Sequence, residues 1–360
     1  MTYPISKTHS LTPVPVVIPG LPPTTIPGSA SSITLPSDWT GYSLLNIYMA
    51  YDEATDNILM VYSKIDGVTY WKVEAVAFGP MTSDTPTFGT INVITSGNVD
   101  PLWLGLSTDA RVAYEQVDDK VYRFTIDGSK NVSYTAISRS GSIVTSGVEY
   151  ILQGPLGDQI MYDPTGAPTM KTFKVNTSTC DSDITQDTGY TIAGNDKYIN
   201  FTSTNGLRYI TSYSSLAYST ATSGTTGLSF NKLCYDKTRK EVLMYIDDST
   251  SGFIRTYDVD VSTPVLKTSS TMTLPYELRD VHFNSYINKY LYAAADFNSG
   301  FHSQIGVLNR KDGGFVVEST LNATNAANMH QHRVISEGKW LIWYPWNNAS
   351  PSQIKFYKIN

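Results

Sequence analysis

Charge is scarce in this 360-residue sequence. Only 16% of residues are charged, and 26 basic against 32 acidic side chains leave a formal charge of −6. With no lysine- and arginine-rich run, a nucleic-acid-binding surface is not expected. Two cysteines, Cys180 and Cys234, cannot make a disulfide framework and read as two buried thiols. No stretch of about 18 apolar residues exists to cross a bilayer. The opening Met1-Thr-Tyr-Pro-Ile-Ser-Lys-Thr-His has neither the basic region nor the apolar core of a signal peptide. Helical periodicity is missing too: no window of about 12 residues keeps it free of Gly, Pro or β-branched clusters.

What is plentiful is tyrosine (25 residues), with glycine (25) and many Ser and Thr, a composition that favours strands and tight turns. Self-similarity then sets the architecture. "AYDEATDNILMVY" (50–62) aligns without a gap on "CYDKTRKEVLMYI" (234–246). A further 49 residues on stands "FNSYINKYLYAAA" (283–295), and 50 beyond that "HRVISEGKWLIWYPW". Each copy holds an apolar strand, a polar turn, a second strand rich in Leu, Met, Tyr or Trp, a loop with Asp or Asn, and a third strand. Weaker copies stand at 102–127, 150–175 and 190–213. First strands are expected near residues 46, 102, 149, 190, 229, 280 and 331, a spacing of about 48 residues that suits a four-stranded antiparallel unit. Fourth strands are expected in "TINVIT", "GSIVTSG" and "STMTLP".

These repeats resemble the β-propeller architecture. The resemblance implies an all-β propeller over residues 32–360, with seven blades, or six because the units at 150 and 190 are short. "SSITLP" (31–36) resembles "STMTLP" (270–275). It is expected to supply the outer strand that the last blade lacks, closing the ring through an N-terminal strand on the C-terminal blade. Neither the WD40 nor the kelch signature is present.

The shift of 50 places His282 and His332 at equivalent points of neighbouring innermost strands. Leu233 and Met49 occupy that place in other copies, so packing rather than metal ligation is expected, and no metal or cofactor is called for. Trp340 and Trp343 belong to a second strand and read as core. Trp346 and Asn347 stand in the loop "PWNNAS", Tyr70 and Trp71 leave the turn "IDGVT", and Phe297 and Phe301 flank "NSG". Aromatics among Asn, Asp and Ser on one rim suit a sugar or a protein partner. "SKIDGVTYW" misplaces the Asp of a sialidase box by one position, and no motif nominates a pair of glycosidase carboxylates.

Residues 1–31 form a separate arm, with six prolines between Pro13 and Pro27. It is extended rather than helical. Its Val14, Val16, Ile18, Leu21 and Ile26 give little reason to stay in water. The arm either lies on the propeller's own outer surface or anchors it in another subunit. A stiff apolar arm before a neutral Ser/Thr/Tyr-rich β domain resembles tailed-phage tail and fibre proteins in style. That resemblance implies a non-enzymatic virion component, made in the host cytoplasm. The arm would hold other virion proteins, and the loop face would meet a host surface glycan or protein. A cellular carbohydrate-binding or scaffold propeller is the second expectation, and a glycan-cleaving one the third.

Overall fold

The computed structural model describes residues 23–360 apart from 67–69, 98–103, 107–110, 116–119, 140–144, 153–157, 165–168, 176–178, 181–183, 188–189, 195–196, 213–216, 229, 248–251, 273, 275, 297–301, 312–313, 324–331 and 346–350. The described residues hold strands and two 3-10 turns, and no helix long and apolar enough to cross a membrane.

The first sheet contains β1 (Ser43–Asp52), β2 (Asn57–Asp66) and β3 (Tyr70–Gly79), with β4 (Thr87–Phe88) and β5 (Asn92–Gly97) sharing the edge of β3. Two antiparallel runs follow: β6 (Leu104–Leu106), β7 (Val112–Glu115), β8 (Lys120–Ile126) and β9 (Val132–Arg139), then β10 (Thr145–Leu152), β11 (Asp158–Pro164), β12 (Thr169–Val175), β13 (Thr179–Cys180) and β14 (Ile184–Asp187). A two-residue parallel pairing of β13 with β9 merges them into one nine-stranded sheet. Three four-stranded meanders come next: β15 (Tyr190–Gly194), β16 (Lys197–Thr202), β17 (Gly206–Ser212) and β18 (Ala217–Tyr218); β19 (Phe230–Asp236), β20 (Glu241–Asp247), β21 (Gly252–Asp258) and β22 (Val265–Met272); β23 (Glu277–Asn284), β24 (Lys289–Asp296), β25 (His302–Lys311) and β26 (Gly314–Ala323). A three-stranded sheet of β27 (His332–Glu337), β28 (Trp340–Pro345) and β29 (Lys355–Lys358) ends the chain.

The first strands expected from the repeat thus begin at Ser43, Leu104, Thr145, Tyr190, Phe230, Glu277 and His332. One outer strand was misplaced. "GSIVTSG" runs into β10, and the fourth strand before it is β9, where "VSYTAIS" alternates small and apolar residues.

Adjacent sheets pack face to face, and the core lies in the layers between them. Ile58, Met60, Tyr62 and Phe78 of the first sheet meet Ile335, Trp340, Ile342 and Phe356 of the last. Cys234, Leu243 and Tyr245 meet Phe283, Tyr290 and Tyr292. β1 lies beside β6 and β27, β10 beside β6 and β15, and β19 and β23 continue the series to β27. Among the described residues, first strands therefore neighbour first strands, and β27 lies beside β1.

The N-terminal segment crosses the outer edge of the last sheet. Thr25 and Asn360 exchange backbone hydrogen bonds of 2.9 and 3.3 Å, and the Ser31 amide donates to the Phe356 carbonyl at 2.7 Å. Upstream, Ile26 packs with Leu291, Val334, Leu341 and Tyr357. Downstream, Ile33, Leu35 and Trp39 join the layer between last and first sheets. The pairing residues are therefore Thr25 and Ser31, not Ile33–Pro36, and residues 23–36 form no regular strand. Pro27 and Pro36 have no amide to donate, a bend at Gly28–Ser29 interrupts the ladder, and Pro36 leads into the 3-10 turn Ser37–Trp39.

Candidate functional site

The repeat places chemistry at the turns joining first to second strands. Asp236 closes β19, and its Oδ1 accepts the amides of Thr238 (3.0 Å) and Arg239 (2.9 Å). Asn284 does the same for Tyr286 and Ile287 at 3.0 and 3.2 Å. These short side chains hold the turn as local caps. The residue that leads out is left-handed in four turns, at Asp56 (φ 58), Lys240 (φ 53), Asn288 (φ 55) and Gly338 (φ 52).

Here the turns of four sheets meet. Lys237 Nζ lies 3.0 Å from Glu53 Oε1, an ion pair between turns 184 positions apart on sheets that are not neighbours in the series. Glu337, 7% exposed at the end of β27, adjoins the same group. Burial pushes its carboxyl up to about 8; Lys237 and a hydrogen bond with Ser285 oppose the shift, and Glu53 and Asp56 reinforce it. A carboxyl that holds a proton near neutrality is out of the ordinary range of carboxylates. Asp56 itself is occupied, accepting from the Tyr51 hydroxyl at 2.9 Å and the Thr82 amide at 3.0 Å.

Further in, polar bonds tie β23 to β27. Asp280 Oδ2 accepts the Val334 amide at 3.0 Å and His282 Nδ1 accepts the Ser336 amide at 3.4 Å. Asn284 Nδ2 donates to Ser336 Oγ at 2.8 Å. Burial lowers the His282 pKa, in keeping with a neutral ring that accepts at Nδ1. His282 and His332 are not equivalent, contrary to the ungapped alignment. Six residues separate Phe283 from its partner Tyr290, but two separate Glu337 from Trp340. The final turn is four residues shorter, so Ser336 takes the place of His282 and His332 opens its strand opposite Pro345. No group of three His, Cys, Asp or Glu that could hold a metal stands among the described residues.

Of the rim candidates, Trp346, Asn347, Phe297 and Phe301 lie outside the described residues. Tyr70 opens β3 opposite Asp66. Trp71 is only 9% exposed, set between Ile65 and Gly97 on the two flanking strands, so its ring offers little surface to a ligand. Among the arm residues, Val14, Val16, Ile18 and Leu21 also lie outside the described set, whereas Ile26 is buried in the chain's own core. Cys234 is a buried free thiol.

The clasp carries a site that residue patterns did not indicate. Glu318 is the extra residue of a bulge in β26, since Val307 pairs with Ser319 and Leu308 with Val317. Its carboxylate accepts from Lys289 Nζ (2.7 Å), Asn309 Nδ2 (2.5 Å) and the Thr24 amide (3.2 Å). Lys289 also donates to Thr24 Oγ1 at 2.9 Å. Burial raises the Glu318 pKa, but these donors outweigh it and hold the carboxyl below its ordinary value. Lys289 and Glu318 are 2% and 8% exposed at their side chains.

No family model and no curated protein sequence matches the chain. Solved structures do. The β-propeller domain of Cps50 (Swd1) from Myceliophteria thermophila superposes with a TM-score of 0.52 at 13% identity, covering 93% of this chain and 100% of that one. A putative 6-phosphogluconolactonase from Bacteroides uniformis gives 0.51 at 12%, covering 89% and 92%. At such identities the likeness is one of fold alone. Face-to-face sheets with first strand beside first strand, and these neighbours, make the chain a β-propeller in architecture.

Proposed function

We propose that the protein is a non-catalytic, seven-bladed propeller that works by protein contact. Its N-terminal arm attaches it to a larger assembly, a virus particle, and its loop face meets a host surface or another protein. The blade count takes the nine-stranded sheet as two blades bridged by β13 and β9. Closure rests on residues 24–39, which serve the last sheet in place of a fourth strand.

The observation that carries the reading is the clasp. Segment 24–31 is wedged between β26 and β29 by backbone and buried polar bonds. The described residues therefore start from a fixed point on the outer flank. An apolar segment tied to a rigid scaffold suits attachment, because its ordering cost is partly met before the partner arrives. The test is incorporation. In the producing host, the full chain should sediment with particles, and a chain lacking residues 1–22 should stay in the soluble fraction while keeping its fold. Normal incorporation of the shortened chain would sink the reading. The deletion must stop at Pro22, since one through Ser31 removes the clasp as well.

A further inference from the structure

Three of the first strands bulge at a shared level. The extra residue falls just before the one that pairs with the fifth residue of the second strand: Tyr48 with Val61, Lys232 with Tyr245, and Asp280 with Ala293. β27 has no bulge, but its Arg333 pairs with Tyr344, again the fifth residue of a second strand. In β23 the extra residue is Arg279. Three cations therefore stand at one level on consecutive first strands: Lys232 on β19, Arg279 on β23 and Arg333 on β27. All three are partly buried. Alternation puts Lys232 on the side of Cys234, which packs toward β23, and Arg333 on the side of Ile335, which packs toward the first sheet. The cations thus sit at successive seams between sheets. Two carboxylates share the level: Glu277 accepts from Arg279 at 2.5 Å, and Asp280 accepts the Val334 amide. Cations outnumber carboxylates here, in a chain whose formal charge is −6.

We propose that this level of the inner channel binds an oxyanion, the carboxylate or phosphate group of a small ligand that enters from the loop face. Arg279 and Arg333 carry planar forks that suit either group by paired hydrogen bonds, and Lys232 adds a point charge. Partial burial makes each such contact stronger than it would be in open water. Bulges are a common means of re-aiming a side chain beside a site. Glu277 already shows Arg279 holding a carboxylate, and with its side chain 38% exposed it leaves room for a ligand oxygen to join or replace it. Access is from one side. Ser43 pairs with Ile65 at the start of β1 and Asp52 with Asn57 at its end, so first strands begin beside the loops that join second to third strands. The cations stand one or two residues into their strands, about 3–7 Å deep. The far ends of those strands lie about 13–17 Å further on, where the ion pair of Lys237 with Glu53 links turns of non-adjacent sheets. This site goes beyond attachment through the arm, and it serves the chain inside or outside a particle.

Titration calorimetry of the purified full chain tests the site, with inorganic phosphate, glucuronate and uncharged glucose as probes. Phosphate or glucuronate should bind saturably, one per chain, and glucose should not. Phosphate alone would identify a phosphate group, glucuronate alone a sugar carboxylate, and both a site that reads only the oxyanion; each supports the proposal. Arg279→Gln and Arg333→Gln, made separately and checked for an unchanged melt, should each weaken binding about tenfold or more. Lys267→Gln removes a charge from the outer strand β22 instead and should leave the affinity as it was. An arginine variant that fails to fold is replaced by Lys232→Gln, with the same expectation. No saturable binding of either anion, equal binding of glucose, or full affinity in the folded channel variants would overturn the proposal, while leaving the particle experiment to judge attachment.

Discussion

Lys289 and Glu337 are buried ionisable residues with opposite surroundings, and they respond differently to change. Lys289→Met leaves the Glu318 carboxylate enclosed without its cation, which should cost about 3–5 kcal/mol in urea denaturation. Lys289→Met with Glu318→Leu should recover most of that loss, as expected when the penalty comes from the orphaned charge. Glu337 has no comparable partner. Its folded carboxyl keeps a proton up to about pH 8, against an ordinary value of 4.5. Between those values the folded state binds more protons than the unfolded one, so stability falls as pH rises and levels off above 8. Glu337→Gln should flatten that slope, adding roughly 1–3 kcal/mol at pH 8 and nothing at pH 4. An unchanged pH profile would show that Glu337 is already ionised in the fold. Neither residue stood out in the sequence, because a Lys or Glu at a strand end reads as solvated until its neighbours are known. His332 was misjudged for a related reason. Alignment by type cannot see that one turn is four residues shorter.

Elements were far more legible than side-chain partners. The apolar strands, with the Asp52, Asp236 and Asn284 that end three of the first strands, repeat closely enough to mark the sheets, because these copies have the same geometric task. The tyrosines of second strands carry a further rule. Tyr292 lies directly over Gly306 of the next strand, and Tyr245 covers Gly252, so a Cβ at either glycine would enter a ring. Gly306→Val should cost several kcal/mol, about 2–4 by the overpacking scale, measured as a lowered thermal midpoint. Gly128→Ala, in a turn with open space around it, should shift the midpoint little. The N-terminal segment was the least legible element. Its pairing with the chain end was expected, but the residues making it were not, since prolines and a bend break the strand pattern that the eye follows. Its energetics separate two truncations. Removing residues 1–22 should leave the thermal midpoint within a few degrees. Removing 1–31 also takes away Ile26, the Thr24 bonds and both Thr25–Asn360 hydrogen bonds, and should lower it by about 5–10 °C or more.

At the scale of the whole molecule, a ring of sheets differs from a linear stack in having no free end. Each layer of core is shared by two sheets, so a missing strand exposes two surfaces rather than one. The last sheet makes the strongest case. It has three strands of its own, and Phe356 on its outermost one packs with Phe78 and Phe88 of the first sheet at ring distances of 5.0 and 5.9 Å. The same strand accepts the Ser31 amide, and Asn360 pairs with Thr25. Deleting residues 355–360 therefore opens both joins of the last sheet at once, to the first sheet and to the N-terminal segment. In a closed ring the shortened chain should fail to give a folded monomer, eluting as aggregate or losing its cooperative melt. In an open stack it should only lose the stability of one edge strand, because the remaining layers would not depend on it. Size-exclusion chromatography with thermal melting distinguishes the two. A folded, cooperative 1–354 monomer would mean that the sheets are held pairwise, and that the clasp decorates the ring without closing it.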